Sequence, residues 1–158
     1  TTRDVKRLIK ELKQKNVDGI IIDLRNNGGG SLLEANNLTG LFIEKGPVVQ
    51  VKGETGYIEE YRDTEKSIDY QGPLVVMVNR LSASASEIFA GAIKDYKRGL
   101  ILGSQTFGKG TVQSLVDLNQ GKLKLTIAKF YRILGSSTQN KGIIPDISFP
   151  TLYNFDEY

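Results

Sequence analysis

QGPLVVMVNRLSASASEIFAGAIKDYKRGLILGSQTFGKGTVQ, residues Gln71 to Gln113, is the stretch from which the fold follows. Gly72-Pro73 punctuates the start of an apolar strand, Leu74 to Asn79, and Ser82, Ser84 and Ser86 then follow at every second position. From Ala83 or Ser84 to Tyr96, small and apolar residues predict a helix packed closely on a sheet. Gly99 to Gly103 is a second short strand, and a glycine-flanked turn from Gln105 to Gly110 carries Lys109. A serine at a strand-to-helix turn, with a lysine returned by the next turn, puts a nucleophile and a base in reach of one cleft.

Toward the N-terminus the order repeats. Val5, Leu8, Ile9 and Leu12 recur at helical spacing, so Thr2 to Lys15 reads as a surface helix with one apolar stripe. Gly19 to Leu24 is a short β-branched run, the mark of a parallel strand buried on both faces. Asp23-Leu24-Arg25-Asn26-Asn27-Gly28-Gly29-Gly30-Ser31 is a glycine turn, and Leu32, Leu33, Ala35, Leu38, Leu41 and Phe42 continue it as a helix. Pro47 to Lys52 and Tyr57 to Tyr61 flank the hairpin loop Gly53-Glu54-Thr55-Gly56, and the acid-rich segment from Glu59 to Asp69 reads as loop.

Toward the C-terminus, Thr111 to Leu118 and Lys122 to Arg132 are β segments joined by the turn Asn119-Gln120-Gly121. In the second, Leu123, Leu125 and Ile127 alternate with Lys122, Lys124 and Thr126. Gly135 to Gly142 is polar loop, and Ile143 to Ile147 is a short extended piece. The expectation is an α/β domain over residues 1–150 with a mainly parallel central sheet flanked by helices and a C-terminal β-hairpin, followed by a tail or linker at 151–158.

The 158 residues suffice for one domain with a continuous core. The chain holds no histidine and no cysteine, which removes the Ser-His-Asp triad, cysteine nucleophiles and ordinary zinc sites. Nucleophilic catalysis is left to serine or threonine with a lysine or a carboxylate. A net charge of +3, from 21 basic and 18 acidic residues scattered along the chain, does not indicate nucleic-acid binding. The apolar runs are too short to span a bilayer and follow no signal-peptide pattern, so a soluble chain without an address is expected. With no methionine ahead of a helix that starts almost at Thr1, the chain reads as a piece of a longer polypeptide.

Three constellations bear chemistry, and each has a purely structural alternative. Gly28-Gly29-Gly30 ahead of a helix can bring N–H groups to an oxyanion, or can be a turn chosen for positive φ. Ser82-Ala83-Ser84-Ala85-Ser86-Glu87 can present a nucleophile, yet taken alone the three serines read as helix caps, Ser84 with Glu87 forming a capping box worth about 0.5–2 kcal/mol without any catalysis. Thr106-Phe107-Gly108-Lys109-Gly110-Thr111-Val112-Gln113 can hold a base or an exposed turn lysine. A free lysine titrates near about 10.4, and burial, here by Phe107 and the glycines, is what brings a neutral amine toward physiological pH. Gly103 to Lys109 also approaches a phosphate-binding loop, but Gly110 stands where the hydroxyl belongs and the following residues alternate as a strand.

On these residues the chain resembles the C-terminal processing, or tail-specific, peptidases, Ser-Lys serine peptidases with a fold akin to crotonase and the caseinolytic ClpP protease. The resemblance rests on Asp23 to Gly30; on Ser82 to Ile88 with Ala90, Gly91, Ala92 and Asp95; on Thr106 to Gln113; and on Lys141-Gly142-Ile143 with Pro145-Asp146-Ile147. It implies Ser84 as nucleophile, Lys109 as general base and Gln113 as the residue that orients the amine. The oxyanion hole would be the Ala85 N–H with one from Gly30 or, second, Gly29, and Asp95 would support structure near the site. It implies no metal and no cofactor, protein substrates with apolar C-termini, a bacterial cell envelope or periplasm or a plastid lumen as the setting, and is compatible with a homo-oligomer. Family members usually add a PDZ domain and helical segments that these residues lack, so weak or absent activity of the isolated segment is expected. The alternatives from other classes are a catalytically silent ligand- or peptide-binding module of the same fold and a phosphate-loop nucleotide hydrolase.

Overall fold

β-branched and aliphatic runs form most of the strands that the pattern predicts, and Gly19, Pro73, Gly99, Gly110 and Gly121 stand immediately before five of them. In this computed structural model, which describes residues 1–150, the elements are α1 (Thr2–Gln14), β1 (Ile20–Asp23), α2 (Leu32–Gly40), β2 (Gly46–Gly53), β3 (Ile58–Asp63), β4 (Leu74–Val78), α3 (Ala85–Asp95), β5 (Leu100–Gly103), β6 (Thr111–Asp117), β7 (Lys122–Tyr131) and β8 (Ile147–Ser148). The expected tail or linker lies outside the described residues.

Two four-stranded sheets result. The first is all parallel, in the order β1-β4-β5-β8, with Ile20 beside Leu74, Val75 beside Leu100, and Leu102 beside Ile147. The second is antiparallel, in the order β3-β2-β7-β6. A mainly parallel sheet with an appended hairpin therefore understates the β structure: β2 and β7 pair from Gln50–Tyr131 to Gly53–Ala128 and join two hairpins into one sheet. β3 also runs to Asp63, through residues whose acidity reads as loop, because its partner β2 supplies the ladder.

α3 lies between the sheets and is buried on nearly every side. Helical geometry sends Phe89, Ala90 and Ile93 into one core with Leu74, Val76, Val78 and Ile101 of the parallel sheet, and turns Ile88 and Ala92 toward Val48, Val49 and Phe130 of the antiparallel one. Phe42 meets Phe89 and Tyr70 edge-on, at centroid distances of 5.9 and 6.5 Å. Each large apolar side chain buried in this way contributes about 1.5–3 kcal/mol.

Two faces remain open. β1 is an edge strand, not one covered on both faces, and Ile21 is 65% exposed. Leu123, Leu125 and Ile127 alternate along β7 as expected, but all three are exposed, and Leu8 of α1 likewise faces away from the Ile9 core.

Candidate active site

The glycine turn after β1 and the serine turn after β4 are neighbours because β1 and β4 are paired parallel strands whose C-terminal ends coincide. Asn27 locks the two together. Its carbonyl accepts from the Ala83 N–H at 3.0 Å and from the Ser86 hydroxyl at 3.0 Å, and its Oδ1 accepts from the Gly29 N–H at 3.0 Å and again from Ser86. Ser82 is fully buried, donates to the Leu24 carbonyl at 2.7 Å and accepts from the Asn79 N–H at 3.0 Å. The cap reading of Ser82 and Ser86 is thus corrected: their hydroxyls tie the serine turn to the glycine turn. Gly29, at φ +94°, lies so close that a Cβ there would fall 2.8 Å from the Ala85 nitrogen and 2.9 Å from Ser84 Cβ.

Ser84 is the N-cap of α3, with capping-box geometry as its spacing from Glu87 predicts. Its backbone stands at φ 58°, ψ −116°, a conformation that costs a non-glycine residue about 1–3 kcal/mol and persists only where surroundings enforce it. The Glu87 carboxylate does part of that enforcing, accepting from the Ser84 N–H at 2.8 Å. Ala85 opens the helix, and the N–H of a first helical residue has no partner within the helix. The Gly29 N–H, by contrast, is already donated to Asn27.

The lysine turn comes back to the same place. The Phe107 N–H donates to the Ser82 carbonyl at 3.0 Å, and the N–H groups of Gly108 and Lys109 donate to Glu87 at 2.8 and 2.9 Å. A loop from Thr138 to Ile143 holds it from the other side: the Asn140 N–H donates to the Gly108 carbonyl, the Thr138 hydroxyl to the Lys109 carbonyl, and the Ile143 N–H to Thr106 Oγ1. Gly142, at φ +60°, sits where a Cβ would meet the Thr106 carbonyl oxygen at 2.6 Å. β6 begins at Thr111, so a strand stands where a phosphate-binding loop requires a helix.

These turns enclose an open cavity of about 520 Å³. Gly29, Gly30, Ser84, Ala85, Lys109 and Gln113 all line it. Thr111, Val112 and Gln113 all line it, and beside them the ladder is irregular: Val112 pairs with Ala128 and Gln113 with Thr126, which leaves Ile127 of β7 as the extra residue. Its apolar walls are Leu32, Ile88, Val112 and Phe130. Phe107, expected to bury the lysine, is instead 51% exposed and packs under Arg80, 6.0 Å from its guanidinium carbon. Among the described residues, no hydrogen bond joins the Ser84 hydroxyl to the Lys109 amine.

Asp95 stands at the far end of α3, away from the cavity, and its buried carboxylate pairs with Arg132 just beyond β7. Sequence reasoning passed over three members of the site: Asn27, Thr106 and the wider reach of Glu87. The signal for the last was a carboxylate set within Ser86-Glu87-Ile88-Phe89-Ala90-Gly91-Ala92, where no solvated face exists to receive it.

Comparison with known proteins bears on the same stretch. The profile of peptidase family S41 matches residues 1–149. A tail-specific protease of Haemophilus influenzae is 51% identical over 99% of this chain and 24% of its own length. A chloroplastic C-terminal processing peptidase of Tetradesmus obliquus is 40% identical over 93% of this chain and 32% of its own. Among solved structures, a photosystem II D1 C-terminal processing protease superposes with a TM-score of 0.84 at 40% identity, over 94% of this chain and 39% of that one. The chain thus spans about a quarter to a third of the length of these two sequence relatives.

Proposed function

This chain belongs to peptidase family S41, and we propose that its cavity is the acylation site of a Ser-Lys endopeptidase that processes proteins at apolar C-terminal tails. One observation carries the reading: three stretches far apart in sequence, residues 28–32, 84–88 and 109–113, line one cavity. They supply a nucleophile, an amine and backbone N–H donors without histidine or cysteine.

In the proposed reaction the neutral Lys109 amine takes the Ser84 hydroxyl proton as Ser84 Oγ attacks the peptide carbonyl. The Ala85 N–H and a second backbone donor hold the oxyanion, and Gly30 suits the second place better than Gly29, whose N–H Asn27 already engages. The lysinium then protonates the departing amine, and water, deprotonated by the same lysine, releases the acyl group. Gln113 orients the amine from the start of β6. Serine and lysine draw into contact as substrate loads, since catalytic hydrogen bonds are often long before the Michaelis complex forms. Asp95, through Arg132, holds the C-terminal end of α3 against the end of β7. Substrates with apolar ends, assembly into a homo-oligomer and a place in the bacterial cell envelope belong to the same proposal.

The test is cleavage of an unfolded protein with an apolar tail by the longest available form of the polypeptide, comparing the parent with Ser84→Ala and Lys109→Ala. Both variants should retain their fold and lose cleavage, and unchanged cleavage in either removes that residue from the mechanism.

A further inference from the structure

Glu87 is fully buried at the start of a helix whose next six residues, Ile88 to Ile93, carry no polar side chain, and its two oxygens accept four hydrogen bonds. Oε1 takes the Thr106 hydroxyl at 2.6 Å and the Gly108 N–H at 2.8 Å. Oε2 takes the Lys109 N–H at 2.9 Å and the Ser84 N–H at 2.8 Å. A capping box accounts for the last of these alone, since a helix cap makes no demand on a turn some twenty residues downstream.

The remaining three donors all come from the lysine turn, and the fourth comes from the strained serine itself. Oε2 is therefore a single atom shared between the backbones of the nucleophile and the base. Thr106 extends the link, because the hydroxyl that donates to Glu87 also accepts the Ile143 N–H at 2.7 Å. Charge-assisted bonds of this kind are shorter and about twice as strong as neutral ones, and a buried carboxylate with all its acceptor places filled has no alternative partner to move to.

We infer that Glu87 is a positioning residue of the acylation site, its carboxylate fixing the separation of the nucleophile turn from the base turn; this rests on the Ser-Lys reading above. Glu87 touches neither substrate nor the reacting atoms in this role. It acts by denying the two turns independent movement, so its loss should reduce the frequency of productive Ser84–Lys109 encounters without altering the walls that bind substrate.

Glu87→Gln preserves size but replaces one acceptor oxygen by an NH2 donor, which in either orientation faces at least one backbone N–H that cannot accept from it. Amide hydrogen exchange by NMR on the chain, and the rate at which a fluorophosphonate probe phosphonylates Ser84 with loss of fluoride, give independent readings. The expected result is exchange at least tenfold faster at Gly108 and Lys109, with the β4 amides within twofold of the parent, and phosphonylation at least tenfold slower. On a peptide substrate the loss should fall in kcat, with KM within threefold. Unchanged exchange in a folded variant overturns the inference, and so does faster exchange with unchanged phosphonylation. Should Glu87→Gln not fold, Thr106→Val, which withdraws one donor and leaves the carboxylate, is read by the same criteria. Parallel Ser84→Ala and Lys109→Ala samples separate the two ideas: labelling that survives either one counts against the dyad, whereas the exchange rates alone decide whether Glu87 joins the turns.

Discussion

Adding one methyl group at Gly29 separates the roles of three adjacent glycines. At φ +94° an alanine costs about 1–3 kcal/mol in backbone strain. Its Cβ would also lie 2.5 Å from the Ala83 carbonyl oxygen, 2.8 Å from the Ala85 nitrogen and 2.9 Å from Ser84 Cβ, all inside contact distance. None of these is the free end of a flexible side chain, so the two turns must part, at an overpacking cost of about 1–3 kcal/mol. Less the gain of about 0.4–1 kcal/mol from a stiffer unfolded chain, Gly29→Ala should lose roughly 1–5.6 kcal/mol, a large share of the roughly 5–15 kcal/mol that stabilises a domain. Gly28 and Gly30 have open space where a Cβ would go and no positive φ, so alanine at either should be neutral or add up to about 1 kcal/mol. Urea unfolding of the three variants, followed by circular dichroism, gives the comparison directly. The reasoning is refuted if Gly29→Ala loses less than about 1 kcal/mol, or if Gly28→Ala loses as much.

Ser82→Ala strands the Asn79 N–H and leaves the Leu24 carbonyl with the Asn27 N–H alone, and should cost about 1–3 kcal/mol in the same assay, where a loss below about 0.5 kcal/mol would contradict the tether. Burial alone pushes the Asp146 carboxyl up, but its ion pair with Lys94 and the Ile101 N–H outweigh burial and hold it below its ordinary value of 3.8. The stabilisation is thus fully present above that value and fades as pH falls through the lower folded-state value. The advantage of the parent over Asp146→Asn in urea midpoint should be constant from neutral pH to about pH 5 and shrink below the ordinary carboxyl value; an advantage that grows with acidity would reverse the assignment.

The alternation of strand and helix, and the glycine and serine turns, were legible because each is written in a few consecutive residues. Gly19 to Leu24 looked like a strand covered on both faces because composition does not distinguish an edge from a centre, and pairing placed it at the edge. The second sheet was hidden for a related reason: the β2–β7 ladder joins residues some eighty positions apart, and no local pattern records it. At the site, the motif residues were visible while their fastenings were not. Ser82 and Ser86 carried the same letter as Ser84 and looked like the same device, yet their hydroxyls point back to Leu24 and Asn27. Glu87 was seen as a cap because that role is local, and its three bonds to the lysine turn are not.

The loop from Thr138 to Ile143 that grips the lysine turn bears on the order in which the molecule comes into being. Synthesis proceeds from the N-terminus, so the glycine turn and the serine turn exist well before this loop emerges. Until then the Gly108 carbonyl lacks Asn140, and Thr106 lacks the Ile143 N–H. A nascent chain would therefore hold its serine in place while the lysine turn lacks its outer support. Completion of the cleft thus waits on the Thr138 to Ile143 segment, the last of these supports in chain order.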